Sequence, residues 1–145
     1  MKIEKIPYSV GALNCEGVLV YDEAAKNQPL LLMAPNWAGV TEKSIEGAAD
    51  MAKQGYVVFL VDMYGLNGRP TGQEAPMEFL GPILKQPQET RARINAALEA
   101  MTSAAKARGV GDASRRAAFG YCFGGSNVLD LARSGADVAA VVSFH

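Results

Sequence analysis

The chain has 145 residues, enough for one compact domain with a hydrophobic core and too few for two domains of ordinary size. Hydrophobic residues make up 49% of the sequence and charged residues 20%, which is typical of a globular protein and excludes a disordered chain. The formal net charge is -1, from 14 basic and 15 acidic residues mixed along the chain, so we expect no nucleic-acid partner. No apolar segment is long enough for a membrane span or a secretory signal, so we expect no membrane association and a cytoplasmic location.

The first 34 residues predict three strands. Residues 2–10 and 16–22 are expected to form an antiparallel pair around a turn at residues 11–14. Residues 30–34 form a continuous apolar run, which is typical of a strand covered on both faces of a sheet.

A helix and a fourth strand are predicted next. Thr41 is the expected N-cap, and Glu42 suits the positive end of the helix. The helix is expected to end at Gly55 and to be followed by a buried strand at residues 56–61. Its apolar face consists of Ile45, Ala48, Ala49 and Ala52. Strand, helix and strand at this spacing predict a right-handed crossover between parallel strands.

Residues 65–87 contain four glycines and four prolines, and we predict a long loop with one or two short turns. Loops of this length in compact domains usually have a function, often that of covering a site. A second helix is predicted at residues 88–108 and is expected to end at Gly109. Its core-facing residues are Ile94, Ala97, Leu98, Met101 and Ala105.

The last third of the chain predicts a strand at residues 116–119, a helix at 123–134 and a strand at 138–144. The apolar residues of this third helix are Val128, Leu129, Leu131 and Ala132. The final strand is apolar on both faces, as in an interior strand with more sheet beyond it. At a sheet edge it would offer an open template to another chain. We therefore expect either a truncated piece of a longer single domain or self-association through this strand.

The segment that indicates chemistry is the pattern G-x-C-x-G-G at residues 120–125, between a predicted strand and a predicted helix. It matches a nucleophile elbow with Cys122 in the place of serine. A nucleophile on so strained a turn requires small neighbours, here Gly120, Gly124 and Gly125, so that strand and helix can pass closely. The first turn of the helix favours the thiolate over the thiol. The alternative is a buried, inert cysteine in a glycine-rich turn.

The second cysteine, Cys15, lies in an unrelated context near the N-terminus. Two isolated cysteines do not form a zinc pattern, and a disulfide would be unusual in a reducing compartment. We expect neither a metal nor a cofactor.

Beyond the elbow, the sequence resembles the dienelactone hydrolase family over essentially its whole length. The resemblance rests on residues 35–39, 61–65, 120–125 and 134–145. It implies the α/β-hydrolase fold: a mostly parallel, doubly wound sheet with an antiparallel N-terminal strand pair, truncated here after the sixth strand. It also implies hydrolysis of a small carboxylic ester or lactone through an acyl-enzyme on the cysteine.

The resemblance further implies an oxyanion hole made of the backbone N–H groups of Trp37 and Phe123, and preorganised donors of this kind stabilise a tetrahedral intermediate. The remaining candidates for the lining of the site are Asn36, Tyr64, Arg69, Tyr121 and His145.

Two of these positions depart from the family pattern. Asn36 stands where the family usually has a glutamate that interacts with the resting cysteine, and an amide cannot take the thiol proton. Leu66 stands where dienelactone hydrolases tend to have an arginine for a substrate carboxylate, with Arg69 as a substitute three residues on. Dienelactone itself is therefore in doubt as the substrate.

The family's triad partners, an aspartate and a histidine, correspond to positions beyond residue 145. His145 is the single histidine, and we interpret it as a strand-end residue rather than as the catalytic base. Asp130 and Asp137 do not replace the aspartate, because one lies on a helix and the other precedes the last strand. We expect the chain as it stands to be catalytically impaired.

Two alternative hypotheses about the function remain. One is a non-catalytic remnant or binding protein with the hydrolase fold. The other is a glutaminase-like or DJ-1-like cysteine enzyme, which also places cysteine in a G-x-C-x-G elbow. Those folds lack the antiparallel opening pair, and many have histidine directly after the cysteine, where this chain has Phe123.

Overall fold

A computed structural model describes residues 1–71 and 76–144 of the chain. These residues form a sheet of six strands in the order β1-β2-β4-β3-β5-β6. The strands are β1 (Lys2–Val10), β2 (Leu13–Tyr21), β3 (Pro29–Ala34), β4 (Val57–Leu60), β5 (Asp112–Tyr121) and β6 (Val141–Phe144). The helices are α1 (Glu42–Lys53), α2 (Pro76–Leu84), α3 (Pro87–Arg108) and α4 (Phe123–Arg133).

The sheet is mixed, as predicted. Strands β1 and β2 pair antiparallel, β2 pairs antiparallel with β4, and β3, β4, β5 and β6 run parallel to one another. The predicted turn at residues 11–14 is too long, because Leu13 and Asn14 already pair with Val10 and Ser9. Gly11, at a positive φ of 58°, supplies the tight reversal.

Helices cover the sheet on both faces, which explains why the central strands are apolar throughout. On one face, Ala48 and Ala52 of α1 pack against Leu31, Met33, Val58 and Leu60. On the other face, α3 and α4 pack against Leu30, Leu32, Val57 and Phe59. Successive residues of β3 and β4 therefore enter opposite cores. All five predicted core residues of α3 are buried.

The predicted helix signals hold for α1 and α3. Thr41 caps α1 with a capping box: its Oγ1 accepts from the Ser44 N–H at 3.1 Å, and the Ser44 Oγ accepts from the Thr41 N–H at 2.8 Å. Gly55 follows α1 with φ 101°, and Gly109 ends α3 in the left-handed conformation.

The predicted loop at residues 65–87 is wrong in part, because α2 lies within it; residues 72–75 are outside the described residues. Pro76 is the first residue of α2, where a missing N–H has no cost. Phe79, Leu80 and Ile83 then pack against the larger core. Packing on this face outweighs Pro82, which stands inside the helix.

The bounds and burial near the C-terminus also differ from the prediction. Strand β6 begins at Val141 rather than at residue 138, because the Val138 N–H donates to the Ala136 carbonyl in a turn. On α4, Leu129 and Ala132 are exposed, so only Val128 and Leu131 of the four predicted apolar residues enter the core. None of the helices in the described ranges is both long and apolar enough to cross a bilayer.

Candidate active site

Cys122 lies at the sharp turn between β5 and α4. Its φ of 52° and ψ of -111° make it the one non-glycine residue at positive φ among the residues that the structure describes. The side chain is exposed. The alternative of a buried cysteine is therefore wrong, and the turn is strained as a nucleophile elbow requires.

The elbow glycines let β5, α4 and β3 approach one another closely. A Cβ on Gly120 would lie 2.2 Å from the Gly124 carbonyl oxygen, and a Cβ on Gly124 would lie 2.0 Å from that of Ala34. A Cβ on Gly125 would lie 2.3 Å from the Ser143 Oγ. The first two separations involve backbone atoms and are shorter than non-bonded atoms allow, so positions 120 and 124 require glycine, whereas the Ser143 side chain can turn away from position 125.

The loop after β3 is held by its own asparagine. The Asn36 side-chain oxygen accepts from the Ala38 N–H at 3.0 Å, and the Asn36 carbonyl accepts from the Gly39 N–H at 3.0 Å. Gly39 has a positive φ of 75°. The amide oxygen of Asn36 therefore closes the turn of its own loop.

Tyr64 connects this loop to α4. Its hydroxyl donates to the Trp37 carbonyl at 2.5 Å, and its ring stacks on Phe123 with centroids 6.2 Å apart. Only 6% of Tyr64 is exposed, so it lies behind the candidate site rather than lining it. Burial raises the pKa of Tyr64 to about 12.

The backbone N–H groups of Trp37 and Phe123 follow neighbouring parallel strands. Ala34 of β3 is paired with Gly120 of β5, and each amide comes three residues after its strand partner. Within the described part of the chain, neither N–H donates to an acceptor. Both amides therefore follow the carboxyl ends of adjacent strands, and each N–H has no acceptor among the described residues.

Arg69 has a partner that was not foreseen from the sequence. Its Nη2 lies 3.0 Å from Oδ2 of Asp62, and it also donates to the Glu16 carbonyl at 2.6 Å. Asp62 is 1% exposed and accepts from the N–H groups of Tyr64 and Gly65. Arg69 therefore neutralises a buried carboxylate, which disfavours its predicted role on a substrate. In the sequence, the feature that marks Asp62 as a candidate for the site is its position directly after a predicted buried strand.

Tyr121 is 40% exposed, and its ring stacks on Phe144 with centroids 5.3 Å apart. It shares with Asn36 a cavity of about 360 Å³ beside the amino end of α1. The cavity is lined by Met33, Pro35, Asn36, Ala38, Thr41, Lys43, Ser44, Gly47 and Tyr121. Of the predicted lining residues, Asn36 and Tyr121 therefore line the same cavity.

The remaining polar candidates do not complete a triad. His145 lies outside the described residues. Asp130 is 3.0 Å from Arg133 on α4, and Asp137 precedes β6 at the end far from Cys122. No group of three or more metal-ligating side chains converges in residues 1–71 and 76–144.

Cys15 differs from Cys122 in its exposure to solvent. It is 1% exposed in β2, and both cysteines are free thiols. Burial, with the Asp62 carboxylate as a second cause, raises the pKa of the Cys15 thiol to about 11. Cys15 is therefore a core residue.

Comparisons with known proteins agree with this geometry. A family model described as the dienelactone hydrolase family matches residues 15–145. The chain is similar to the structure of P91, a dienelactone hydrolase-like promiscuous phosphotriesterase from metagenomic libraries, with 30% identity and a TM-score of 0.88. It is also similar to a structure named m3DLH, with 32% identity and a TM-score of 0.89. No curated protein matches the sequence.

A third structure, dienelactone hydrolase from Anabaena variabilis, shares the fold at 19% identity, with a TM-score of 0.68 over 98% of this chain and 62% of that one. The alignments to P91 and m3DLH cover 99% of this chain and 59% of each of those. This chain thus spans somewhat more than half the length of its structural relatives. From its sheet order, its elbow and the matched family model, the chain belongs to the dienelactone hydrolase family.

Proposed function

We propose that this chain carries the nucleophile of a hydrolase that cleaves small carboxylic esters or lactones through a cysteine acyl-enzyme. One observation carries the proposal: an exposed cysteine stands on a strained turn at the start of α4, next to an N–H group without an acceptor in the described residues. Membership of the dienelactone hydrolase family supports it.

The first chemical step uses residues that the structure describes. The Cys122 sulfur attacks the carbonyl carbon of the ester, and the carbonyl electron pair moves onto oxygen. The N–H groups of Trp37 and Phe123 donate to that oxyanion, and one such donor is commonly worth about 3–4 kcal/mol. Collapse of the intermediate breaks the bond to the alcohol oxygen, which leaves with the thiol proton, and a thioester on Cys122 remains.

The second step, hydrolysis of the thioester, needs a base that activates water. The described residues contain no histidine, since the single histidine of the chain is His145. In the family, the aspartate and histidine of the triad follow later strands. We therefore expect this chain to form the acyl-enzyme faster than it hydrolyses it.

A second candidate is a binding protein that retains the fold without the reaction. The glutaminase-like or DJ-1-like alternative has less support, because β1 and β2 form the antiparallel pair that those folds lack. Rapid acylation of Cys122 separates the two remaining candidates, because a hydrolase of this kind forms a thioester on that residue and a binding protein does not.

The test is a rapid-mixing assay with p-nitrophenyl acetate, whose leaving group departs without a general acid. We expect a burst of nitrophenolate close to one equivalent per chain, followed by slow turnover. Iodoacetamide pretreatment and Cys122→Ala should each abolish the burst, whereas the matched variant Cys15→Ala should retain it. A burst of full amplitude from Cys122→Ala would show that the proposal is wrong.

A further inference from the structure

We infer that Tyr64 is a positioning residue for the oxyanion hole: its hydroxyl holds the Trp37 carbonyl, and so restrains the backbone of Trp37, while its ring supports Phe123. The inference rests on the proposed function, because it concerns the two amides to which that function assigns the oxyanion. Tyr64 touches no reacting atom in this account. It acts through the backbone of two residues that lie far apart in the sequence.

The hydroxyl of Tyr64 reaches the loop from outside it. The two hydrogen bonds made by Asn36, to the N–H groups of Ala38 and Gly39, are internal to the loop. They fix the shape of the turn but do not attach it to the connection after β4. The bond from the Tyr64 hydroxyl to the Trp37 carbonyl, across a separation of 27 residues, makes that attachment. It restrains the residue whose N–H is the proposed donor.

The ring of Tyr64 is held on several sides. It stacks on Phe123 at an interplanar angle of 24°, and Phe79 of α2 meets it edge-on with centroids 5.7 Å apart. A Cβ on Gly39 would lie 3.3 Å from the ring, so the ring fills the space beside that glycine. Packing of this kind leaves the hydroxyl little freedom to turn away from the Trp37 carbonyl.

The backbone of Tyr64 is fixed as well. Its N–H donates to Oδ1 of Asp62 at 3.1 Å, and the next N–H, that of Gly65, donates to the same oxygen at 3.0 Å. Arg69 balances the charge of this carboxylate at 3.0 Å. With its pKa raised to about 12 by burial, the hydroxyl also stays protonated, and thus a donor, in assays near neutral pH.

Two reactions of the same sulfur distinguish positioning from a general structural role. Acylation by p-nitrophenyl acetate passes through a tetrahedral oxyanion, which needs the Trp37 and Phe123 amides. Alkylation by iodoacetamide displaces iodide at a saturated carbon and creates no oxyanion. A residue that only positions the donors affects the first reaction and leaves the second unchanged.

The experiment compares the rate constants of both reactions at Cys122 in the wild-type chain and in Tyr64→Phe. Loss of an oxyanion donor outright costs roughly 10²–10³ in rate, so loss of its positioning is expected to slow acylation about tenfold. The alkylation rate should not change. Tyr21→Phe is the matched control, because it removes another buried hydroxyl, one that donates to Glu4 at 2.7 Å on the distant strand pair. It should change neither rate.

Each outcome has a distinct meaning. If the wild-type chain is not acylated at Cys122, the proposed function itself fails. If it is acylated and Tyr64→Phe is acylated at the same rate, only the inference about Tyr64 fails. A parallel fall in both rates also overturns the inference, because it indicates a general disturbance of the elbow. Should Tyr64→Phe not fold, Phe79→Leu loosens the ring without removing the hydroxyl, and it must slow acylation alone for the inference to stand.

Discussion

At Cys122, the backbone adopts a conformation that L-residues other than glycine rarely take. The surrounding hydrogen bonds hold it there: the Cys122 N–H donates to the Phe144 carbonyl at 2.9 Å, and the Cys122 carbonyl accepts from the Ser126 N–H at 3.3 Å. Such a conformation costs on the order of 1–3 kcal/mol, and it keeps the sulfur exposed above the sheet. Exposure of the nucleophile is therefore obtained at the expense of stability.

This strain predicts that glycine at position 122 gives a more stable protein than alanine does. Cys122→Ala keeps the backbone strain, whereas Cys122→Gly relieves it. Part of the stability gained by the glycine variant is lost again, because glycine has more conformational freedom in the unfolded chain. We expect the free energy of unfolding to be higher for Cys122→Gly by about 1 kcal/mol. Urea denaturation of the two variants measures the difference. Equal or lower stability of Cys122→Gly would contradict the assigned strain.

The close contact at Gly124 leads to a second prediction about stability. A Cβ there would overlap the Ala34 carbonyl oxygen at 2.0 Å, and that oxygen belongs to the backbone, which cannot give way cheaply. Gly124→Ala should lower the free energy of unfolding by about 3 kcal/mol or more. Gly47→Ala is the control, because in helix α1 the added methyl group meets only the flexible end of the Met33 side chain, at 3.3 Å, so the free energy of unfolding should change much less. A fall of the same size in both variants would refute the steric reason.

Among the elements, helix α4 contains a buried polar group that lacks a partner. Both polar atoms of the Asn127 side chain are buried without a hydrogen bond within the described residues. An unsatisfied buried polar group costs about 1–3 kcal/mol, and leucine has nearly the same shape as asparagine. Asn127→Leu should therefore raise the free energy of unfolding by roughly 1 kcal/mol.

Asn95 provides the comparison for this variant. It lies on α3, and its amide donates to the Arg91 carbonyl at 2.9 Å and to the Ser134 Oγ at 3.0 Å. Asn95→Leu loses these bonds and should not stabilise the protein. Chemical denaturation measures the free energy of unfolding of both variants. If Asn127→Leu is less stable than the wild-type chain, the Asn127 amide has a hydrogen-bond partner in solution and the prediction is wrong.

A helix or turn can be predicted from the sequence when the residues that determine it lie close together in the chain. Helix α1 was predicted well because Thr41 and Gly55 act within one turn of its ends. Helix α2 was missed because its stability comes from packing on α3 and the core, while its own segment is rich in glycine and proline. The elbow at Cys122 was predicted because its spacing is itself the steric requirement.

Within the candidate site, the contacts that escaped prediction are the long-range ones. The ion pair of Arg69 with Asp62 and the bond from Tyr64 to Trp37 both depend on which loops the sheet order brings together. Neither residue carries a local pattern for its role. From the sequence, Tyr64 and Arg69 are therefore recognisable as candidates for the site, but their long-range partners are not.

At the scale of the sheet, exposed apolar side chains lie side by side at the β6 edge. Tyr121, Val142 and Phe144 are each at least 40% exposed. Together with Met51 and Tyr56 they border a groove of about 270 Å³ alongside α1. An open edge next to apolar side chains favours pairing with another chain.

We expect this edge to drive self-association of the chain. Val142→Lys should shift the protein towards the monomer, since a charge on an edge strand opposes strand pairing. Ile3→Lys is the matched control, because Ile3 is 54% exposed on β1, at the opposite edge. Sedimentation velocity over a range of concentrations measures the effect. An unchanged distribution in Val142→Lys, or the same shift in both variants, would contradict this assignment.

Peptide mapping by mass spectrometry after brief exposure to p-nitrophenyl acetate tests directly whether Cys122 is the nucleophile. We expect a stoichiometric acetyl group on the peptide that contains Cys122 and none on the peptide that contains Cys15. Acetylation spread over lysines, or absent from Cys122 while the thiol remains open to iodoacetamide, would contradict it.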